Sequence, residues 1–244
     1  MWYGLNKFIK RLFDIVVSLI AIIVLTPLWI VVSILIKCDS EGPVFFIQRR
    51  RTKDGKVFNM YKFRSMQVNA ENMGAGLFNY KDDPRVTKVG KFLRSSSIDE
   101  LPQLFNVLKG DLSIVGPRPC VEYELGDYDT LNKKYKKRFE VRGGITGLAQ
   151  VKGRNENSWD EKVMYDNEYI DKFKKEGFWL DIKIIFGTIA KVFKKEDIYE
   201  EKTDENMSDV ENAKLQEEEI IRIAHLPDEE LEIKEDENEN GRSE

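Results

Sequence analysis

Histidine and cysteine are almost missing from this 244-residue chain: one histidine, His225, and two cysteines, Cys38 and Cys120. A single histidine leaves no material for histidine-based triads or histidine-ligated metal sites. Two cysteines without C-x-x-C spacing make neither a zinc cluster nor a disulfide framework, and they fit a reducing compartment. Also missing are internal repeats, the Gly-rich loops that cradle dinucleotides or nucleoside triphosphates, and the H-E-x-x-H helix of zinc peptidases. Any chemistry therefore falls to carboxylates, lysines and arginines.

Charge is plentiful but unevenly placed. Of 43 acidic and 39 basic residues, 20 and 5 lie in residues 196–244, leaving 23 and 34 in residues 1–195. The body is basic and suits an anionic partner such as a membrane surface, a nucleotide or a phosphate. The tail is acidic and poor in aromatics, a composition that predicts disorder, with a transient helix at "EEEIIRIAHL".

Ile15 to Ile36 is an uncharged apolar run of 22 residues. As a straight helix it would measure roughly 33 Å, enough to span a bilayer. It is too long for a cleaved signal peptide and does not end in small residues. Length alone favours one transmembrane anchor. Bases flank both ends, however: Lys7, Lys10 and Arg11 before, Lys37 and Arg49-Arg50-Arg51 after. The positive-inside tendency then assigns both ends to the cytoplasm. Pro27 lies at the midpoint, where it breaks helix hydrogen bonding, and Thr26 and Ser33 supply hydroxyls for freed carbonyls. A helix that enters, bends at Pro27 and leaves on the same side meets both constraints. A second membrane element is "FWLDIKIIFGTIAKVFKK", residues 178–195. Asp181, Lys183, Thr188, Lys191, Lys194 and Lys195 share one half of its wheel. Trp179, Ile182, Ile185, Phe186, Ile189, Val192 and Phe193 share the other, with Leu180 and Ile184 out of place. Packing on a protein core and lying in a membrane interface both explain this pattern.

Between these elements the pattern is that of an α/β domain, mostly helical with a small β-hairpin or sheet. Two β-rich runs flank Asp54-Gly55, a hairpin signal that carries Lys62 and Arg64 on or just beyond its second strand. "LPQLFNVLKG" reads as a short helix closed by Gly110, "SIVGPRP" as a brief strand entering a rigid turn, and "SWDEKVMYDNEYIDKF" as a helix. The chain divides into residues 1–40, a re-entrant membrane helix broken at Pro27; residues 41–195, a catalytic domain ending in the interfacial helix; and residues 196–244, the acidic tail.

"SSSIDELPQLF", residues 95–105, places Asp99 beside Glu100. Ser97-Ile98-Asp99-Glu100 matches an S-x-x-E capping box, which would make the acids structural. Pro102 would then fall at the fifth helical position, at a cost of about 3 kcal/mol. With Asp99 as the cap, Pro102 lies in the first turn, and both carboxylates stand ionised at a helix N-terminus. An ionised carboxylate can ligate Mg²⁺ or attack phosphorus. From these residues alone, the structural and chemical readings both stand.

"KFRSM", "LRSSSIDELPQLFNVLKGDLSIVGPRP" and "RGGITGLAQVKGRN", in this order behind a proline-broken apolar segment, resemble the bacterial sugar transferase family of small monotopic phosphoglycosyl transferases. The likeness covers residues 8–195. It implies Mg²⁺-dependent transfer of a sugar-1-phosphate from a UDP-sugar donor to polyprenyl (undecaprenyl) phosphate, through a phosphosugar–aspartyl intermediate and with release of UMP. The product would begin a surface polysaccharide at the cytoplasmic face of the bacterial membrane. The implied partners are donor, acceptor and membrane lipids, with no nucleic acid, and a homo-oligomer is left open. By the same resemblance Asp99 is the nucleophile and, with Glu100, the metal site. Lys62, Arg94 and Arg118 would meet phosphates, and Arg64 would also bind substrate. Arg142, Gln150, Arg154, Asn155 and Asp166 would complete the substrate site. The usual Ser-Pro break is Thr26-Pro27 here. Many members carry proline where Gly144 or its neighbour stands, which implies a looser turn at 142–144. Two rivals remain: a non-catalytic membrane-anchored scaffold, and a glycosyltransferase that releases UDP.

Overall fold

The computed structural model describes residues 2–73, 76, 80, 82–153, 158–194 and 208–231. It is mostly helical with small sheets, as expected. Helix α1 (Trp2–Asp39) runs 38 residues with Pro27 inside it. β1 (Phe45–Arg51) and β2 (Val57–Phe63) form the hairpin, Phe45 opposite Phe63 and Arg51 opposite Val57. Its turn needs left-handed backbone at Asp54 (φ 56°) and Gly55 (φ 72°), the reason for that dipeptide. Then follow α2 (Lys88–Ser95), α3 (Gln103–Lys109), closed by left-handed Gly110, and β3 (Ser113–Val115). β4 (Cys120–Val121) adds antiparallel to the free edge of β1, and α4 (Lys133–Lys137) leads to β5 (Gly144–Thr146), parallel to β3. α5 (Leu148–Lys152), α6 (Trp159–Glu176), α7 (Phe178–Lys194) and α8 (Asp209–Ala224) complete the described chain.

α1 is long and apolar enough to cross a membrane, yet it is held to the globular part at both ends. Near its start, the Lys10 ammonium lies 2.6 Å from Asp181, and Arg11 donates to the carbonyls of Val107 and Leu108 at the end of α3. Asp14, buried, accepts from the Ile114 amide. Near its end, Asp39 accepts from the Val89 amide in the first turn of α2, and Trp29, Val32 and Ile36 bury against Phe63, Leu93 and Leu104. Lys10 and Arg11 thus serve as struts. The Arg49-Arg50-Arg51 run lies on β1 and also turns to protein: Arg49 pairs with Glu122, Arg50 donates to the Pro119 carbonyl and Arg51 to that of Glu122. Thr26 and Ser33 hydroxyls bond the carbonyls of Ile22 and Trp29, each four residues back. The carbonyl that Pro27 leaves without its usual donor is the next one along, Ile23.

The residues of α7 that break its wheel are the ones that anchor it. Leu180 and Ile184 bury among Tyr169, Ile170 and Phe173, while Trp179, Phe186 and Ile189 stand 70%, 69% and 47% exposed. The expected disordered tail is corrected over residues 208–231. Ser208 and Glu211 form a capping box that starts α8. Ile220, Ile223 and Ala224 then pack on Leu125, Leu131, Tyr135 and Phe139. Enough apolar burial falls on one helix face to order a segment whose composition argued against order. The remainder of the tail lies outside the described residues.

Candidate active site

Asp99 and Glu100 lie in a 3-10 turn (Ile98–Glu100) between α2 and α3. Ser97 opens the turn in left-handed backbone (φ 56°) and its side chain makes no cap bond; α3 itself is led by Pro102. Neither capping reading holds. The proline ends the tight turn and starts the next helix, so the two acids project from a bend. Asp99 is 9% exposed and Glu100 is partly buried. Lys62, at the end of β2, places its ammonium 3.1 Å from Glu100 Oε1. Arg118, in the turn after β3, grips Glu100 with both terminal nitrogens, Nη2 to Oε1 at 2.5 Å and Nη1 to Oε2 at 3.3 Å.

This arrangement separates the two acids. Burial pushes the Asp99 carboxyl up to about 6, against the pull of Lys62, Arg94 and Arg118, with Glu100 adding to the rise. Burial works to raise Glu100 too, but Arg118 and Lys62 hold it well below the ordinary carboxylate range. Glu100 in turn holds Arg118 firmly cationic. The result is a fixed anion bound by two cations, beside a second acid that titrates near neutrality.

These groups line one cavity of about 1000 Å³. Part of its wall is apolar: Val17 of α1, Pro43, Phe45, Leu101 and Leu104. Another part is polar: Arg138, Gln150, Lys162 and Asp166, with Trp159. Arg138 Nη1 and both amide atoms of Gln150 are buried without a hydrogen-bond partner among the described residues. Unpaired buried polar atoms are costly, and their presence marks where a ligand's hydroxyls or carbonyls would pair. The backbone of the Arg118 turn is pinned. Arg50 donates to the Pro119 carbonyl at 2.5 Å and Arg138 to the Arg118 carbonyl at 2.8 Å. A Cβ on Gly144 would come within 2.1 Å of the Gly116 nitrogen, and the Gly144 amide donates to Pro117 O at 2.8 Å. The turn at 142–144 is therefore tight, contrary to the looser turn expected, because glycine permits backbone-to-backbone contact there.

A profile of the family described as "Bacterial sugar transferase" matches residues 5–195. The chain belongs to the bacterial sugar transferase family. It is 46% identical over 201 residues to the UDP-glucose:undecaprenyl-phosphate glucose-1-phosphate transferase of Klebsiella pneumoniae, covering 80% of this chain and 42% of that protein. It is 40% identical over 208 residues to the undecaprenyl-phosphate galactose phosphotransferase of Salmonella typhimurium, with the same coverage of each, 80% and 42%. To the UDP-N-acetylgalactosamine-undecaprenyl-phosphate N-acetylgalactosaminephosphotransferase of Aeromonas hydrophila it is 45% identical over 188 residues, covering 76% and 44%. The chain spans less than half the length of these relatives.

In this family member the cavity gathers Asp99, Glu100, Lys62, Arg94, Arg118, Gln150 and Asp166. Arg64 also borders it; its terminal nitrogens donate to the carbonyls of Ser40 (2.8 Å) and Glu41, tying down the chain after α1, while its Nε is buried without a hydrogen-bond partner among the described residues. Arg142 is not among the cavity's lining residues and donates to the Gly110 carbonyl at 2.9 Å. Arg154 and Asn155 lie outside the described residues. Asp166 is buried 2.8 Å from Arg138 Nη2, and burial pushes its carboxyl up to about 6 despite that partner. Arg50 and Arg138 were not singled out from the sequence, although a signal for each exists. Strand alternation sets Arg50 apart from Arg49 and Arg51, and helical spacing puts Arg138 on the buried side with Tyr135 and Phe139.

Proposed function

We propose that this sugar transferase moves a sugar-1-phosphate from a UDP-sugar to polyprenyl phosphate at the cytoplasmic face of a membrane, by two displacements at phosphorus. The observation that carries this reading is the buried acid Asp99 beside a Glu100 already neutralised by Lys62 and Arg118, in a cavity lined by both apolar and polar side chains. An Asp99 oxygen attacks the phosphorus bearing the sugar. The bond from that phosphorus to the UMP oxygen breaks and UMP departs. An oxygen of the polyprenyl phosphate then attacks the same phosphorus, the acyl–phosphate bond breaks, and Asp99 returns to its carboxylate while a polyprenyl-diphosphate sugar leaves. Lys62, Arg94 and Arg118 offset the repulsion between carboxylate and diphosphate, and their fixed positions supply charge stabilisation without reorganisation. The apolar wall beside α1 suits the first isoprenes of the acceptor. The polar wall, with Gln150, Arg138 and Asp166, suits the hydroxyls of a UDP-hexose or UDP-N-acetylhexosamine.

Among the described residues there is no group of three or more metal-ligating side chains. Two adjacent carboxylates nevertheless fit Mg²⁺, which is commonly held by one or two carboxylates, waters and substrate phosphate oxygens. Asp99 and Glu100 would hold it, and when bound it neutralises diphosphate charge.

For α1 the reading is a re-entrant anchor that bends at Pro27. What supports it is that Asp14 at one end and Asp39 at the other are both hydrogen-bonded to the same globular domain. A helix crossing a bilayer once would hold those ends apart. The exposed Trp179, Phe186 and Ile189 of α7 support a domain seated on the interface. The deciding assay mixes UDP-sugar, polyprenyl phosphate and Mg²⁺ with the enzyme. UMP release is expected; UDP release would mean sugar transfer without phosphate, and no release would mean a scaffold.

A further inference from the structure

α8 lies beyond the stretch matched by the family, yet it is tied to the two segments that hold Arg118. Asn132, the cap of α4, is the main tie. Its backbone amide donates to Ala224 O and its Nδ2 to Ile223 O, both at 3.0 Å, while its Oδ1 accepts from the Tyr135 amide to start α4. Asp228 accepts from the Lys133 amide at 2.9 Å and pairs with the Lys133 ammonium at 3.0 Å. His225 reaches the segment that follows β4, with Nε2 2.9 Å from Leu125 O and Nδ1 3.0 Å from the Thr130 hydroxyl. A carbonyl only accepts, so Nε2 carries the proton. Gly126 gives way to this ring: a Cβ there would lie 2.8 Å from His225 Nε2.

The apolar side of α8 floors the same two segments. Ala224, fully buried, joins Tyr135 and Phe139 on the α4 side and Cys120 and Leu125 on the β4 side. Cys120 is two residues after Arg118. Arg138, between Tyr135 and Phe139 in helical order, sends Nη2 to the Arg118 carbonyl. Arg118 is thus held from downstream by β4 and from beneath by Arg138, and α8 backs both.

We propose that residues 208–231 are a positioning brace for Arg118, an added C-terminal element that sets the arginine against Glu100. Its catalytic consequence rests on the reaction proposed above; its structural consequence does not. None of its residues is among those lining the cavity, and it acts through Asn132, Tyr135 and Arg138.

The test compares the full chain with a chain ending at residue 207 and with two point variants, Asn132→Asp and Asp228→Asn. Asn132→Asp keeps the cap of α4, since aspartate caps as well as asparagine, but removes the donation to Ile223 O. Amide hydrogen exchange is expected to quicken in residues 118–125 and 132–140 and to hold steady in residues 98–109. kcat/KM for the UDP-sugar should fall about tenfold on truncation, mostly through KM, and about threefold in each point variant. A synthetic peptide of residues 208–231 added to the truncated enzyme should restore both readouts. Unchanged exchange near Arg118 in the truncated chain and in Asn132→Asp would overturn the brace, as would altered exchange with kcat/KM within twofold of the full chain. If truncation unfolds the domain, the two point variants decide by the same criteria. A full chain that releases no UMP would sink the proposed reaction, and exchange alone would then decide the brace.

Discussion

At position 99 a carboxylate is buried beside Lys62, Arg94 and Arg118, and burial outweighs those cations enough to bring its titration to about 6. A raised acid is ionised only above that value, so the attacking form is present at neutral pH and lost as pH falls through 6. Formation of the proposed intermediate should weaken by about tenfold per pH unit below that point, measured as UMP release in a single turnover. For stability the raised value works the other way. The contribution is fully present below the unfolded value of an ordinary aspartate and is lost as pH rises through 6. Asp99→Asn should therefore be at least as stable as the wild type at pH 8 by thermal unfolding, with turnover down by roughly a thousandfold. A less stable variant with full turnover would return Asp99 to a structural role. Asp99 and Glu100 drew notice because an acid pair before Pro102 fits a Ser97 cap poorly, and their proposed roles come from the family resemblance. Arg138 stands in a lysine run, where helical spacing with Tyr135 and Phe139 is the sequence signal for it, and its burial 2.8 Å from Asp166 is what the fold adds. For Arg64 and Arg142 the sequence reports that an arginine is there, while the carbonyls they meet, those of Ser40, Glu41 and Gly110, come from distant segments.

At the scale of elements, α1 and α7 carry the proposed relation to lipid. If α1 enters and leaves on one side, single cysteines at residues 5 and 40 in a Cys-free background should both react only from the cytoplasmic side. Reaction of the residue-5 site with an impermeant reagent outside intact cells would mean a full crossing. For α7, Trp179, Phe186 and Ile189 contribute little to the protein's own core. Replacing them with serine should lower retention on anionic vesicles by about tenfold for each side chain removed, each being worth roughly 1.5–3 kcal/mol when buried, and leave thermal stability in detergent almost unchanged. Loss of stability with retention intact would make that face a protein contact. The hairpin β1–β2 and the helix closed by Gly110 were readable because Asp54, Gly55 and Gly110 each occupy left-handed backbone. The orientation of α7 was not. Its wheel shows one large apolar half, and only packing against Tyr169 and Phe173 selects Leu180 and Ile184 as the buried pair.

Over the whole molecule, the split between a basic body and an acidic tail was correct as composition and misleading as structure. Averaged over residues 196–244 the acids predict disorder. Over residues 208–231 the spacing of Ile220, Ile223 and Ala224 makes one apolar edge, and α4 offers Lys133 for Asp228. A composition window blurs what a helical period would have kept. The same holds for the site, whose parts come from β2, α2, the 3-10 turn, the turn after β3, α5 and α6, and meet only through the fold. The motifs named the family, and the cavity adds Arg50 and Arg138 as the groups that hold Arg118 in place.

The central claim is that Asp99 carries the sugar-phosphate between donor and acceptor. Wild-type enzyme given UDP-sugar and Mg²⁺ without polyprenyl phosphate, quenched and digested, should show the peptide containing Asp99 heavier by one sugar-phosphate, with UMP released in the same amount. Adding polyprenyl phosphate before the quench should discharge the adduct, and Asp99→Asn should never form it. UMP release that requires the acceptor, with no adduct on that peptide, would contradict the account.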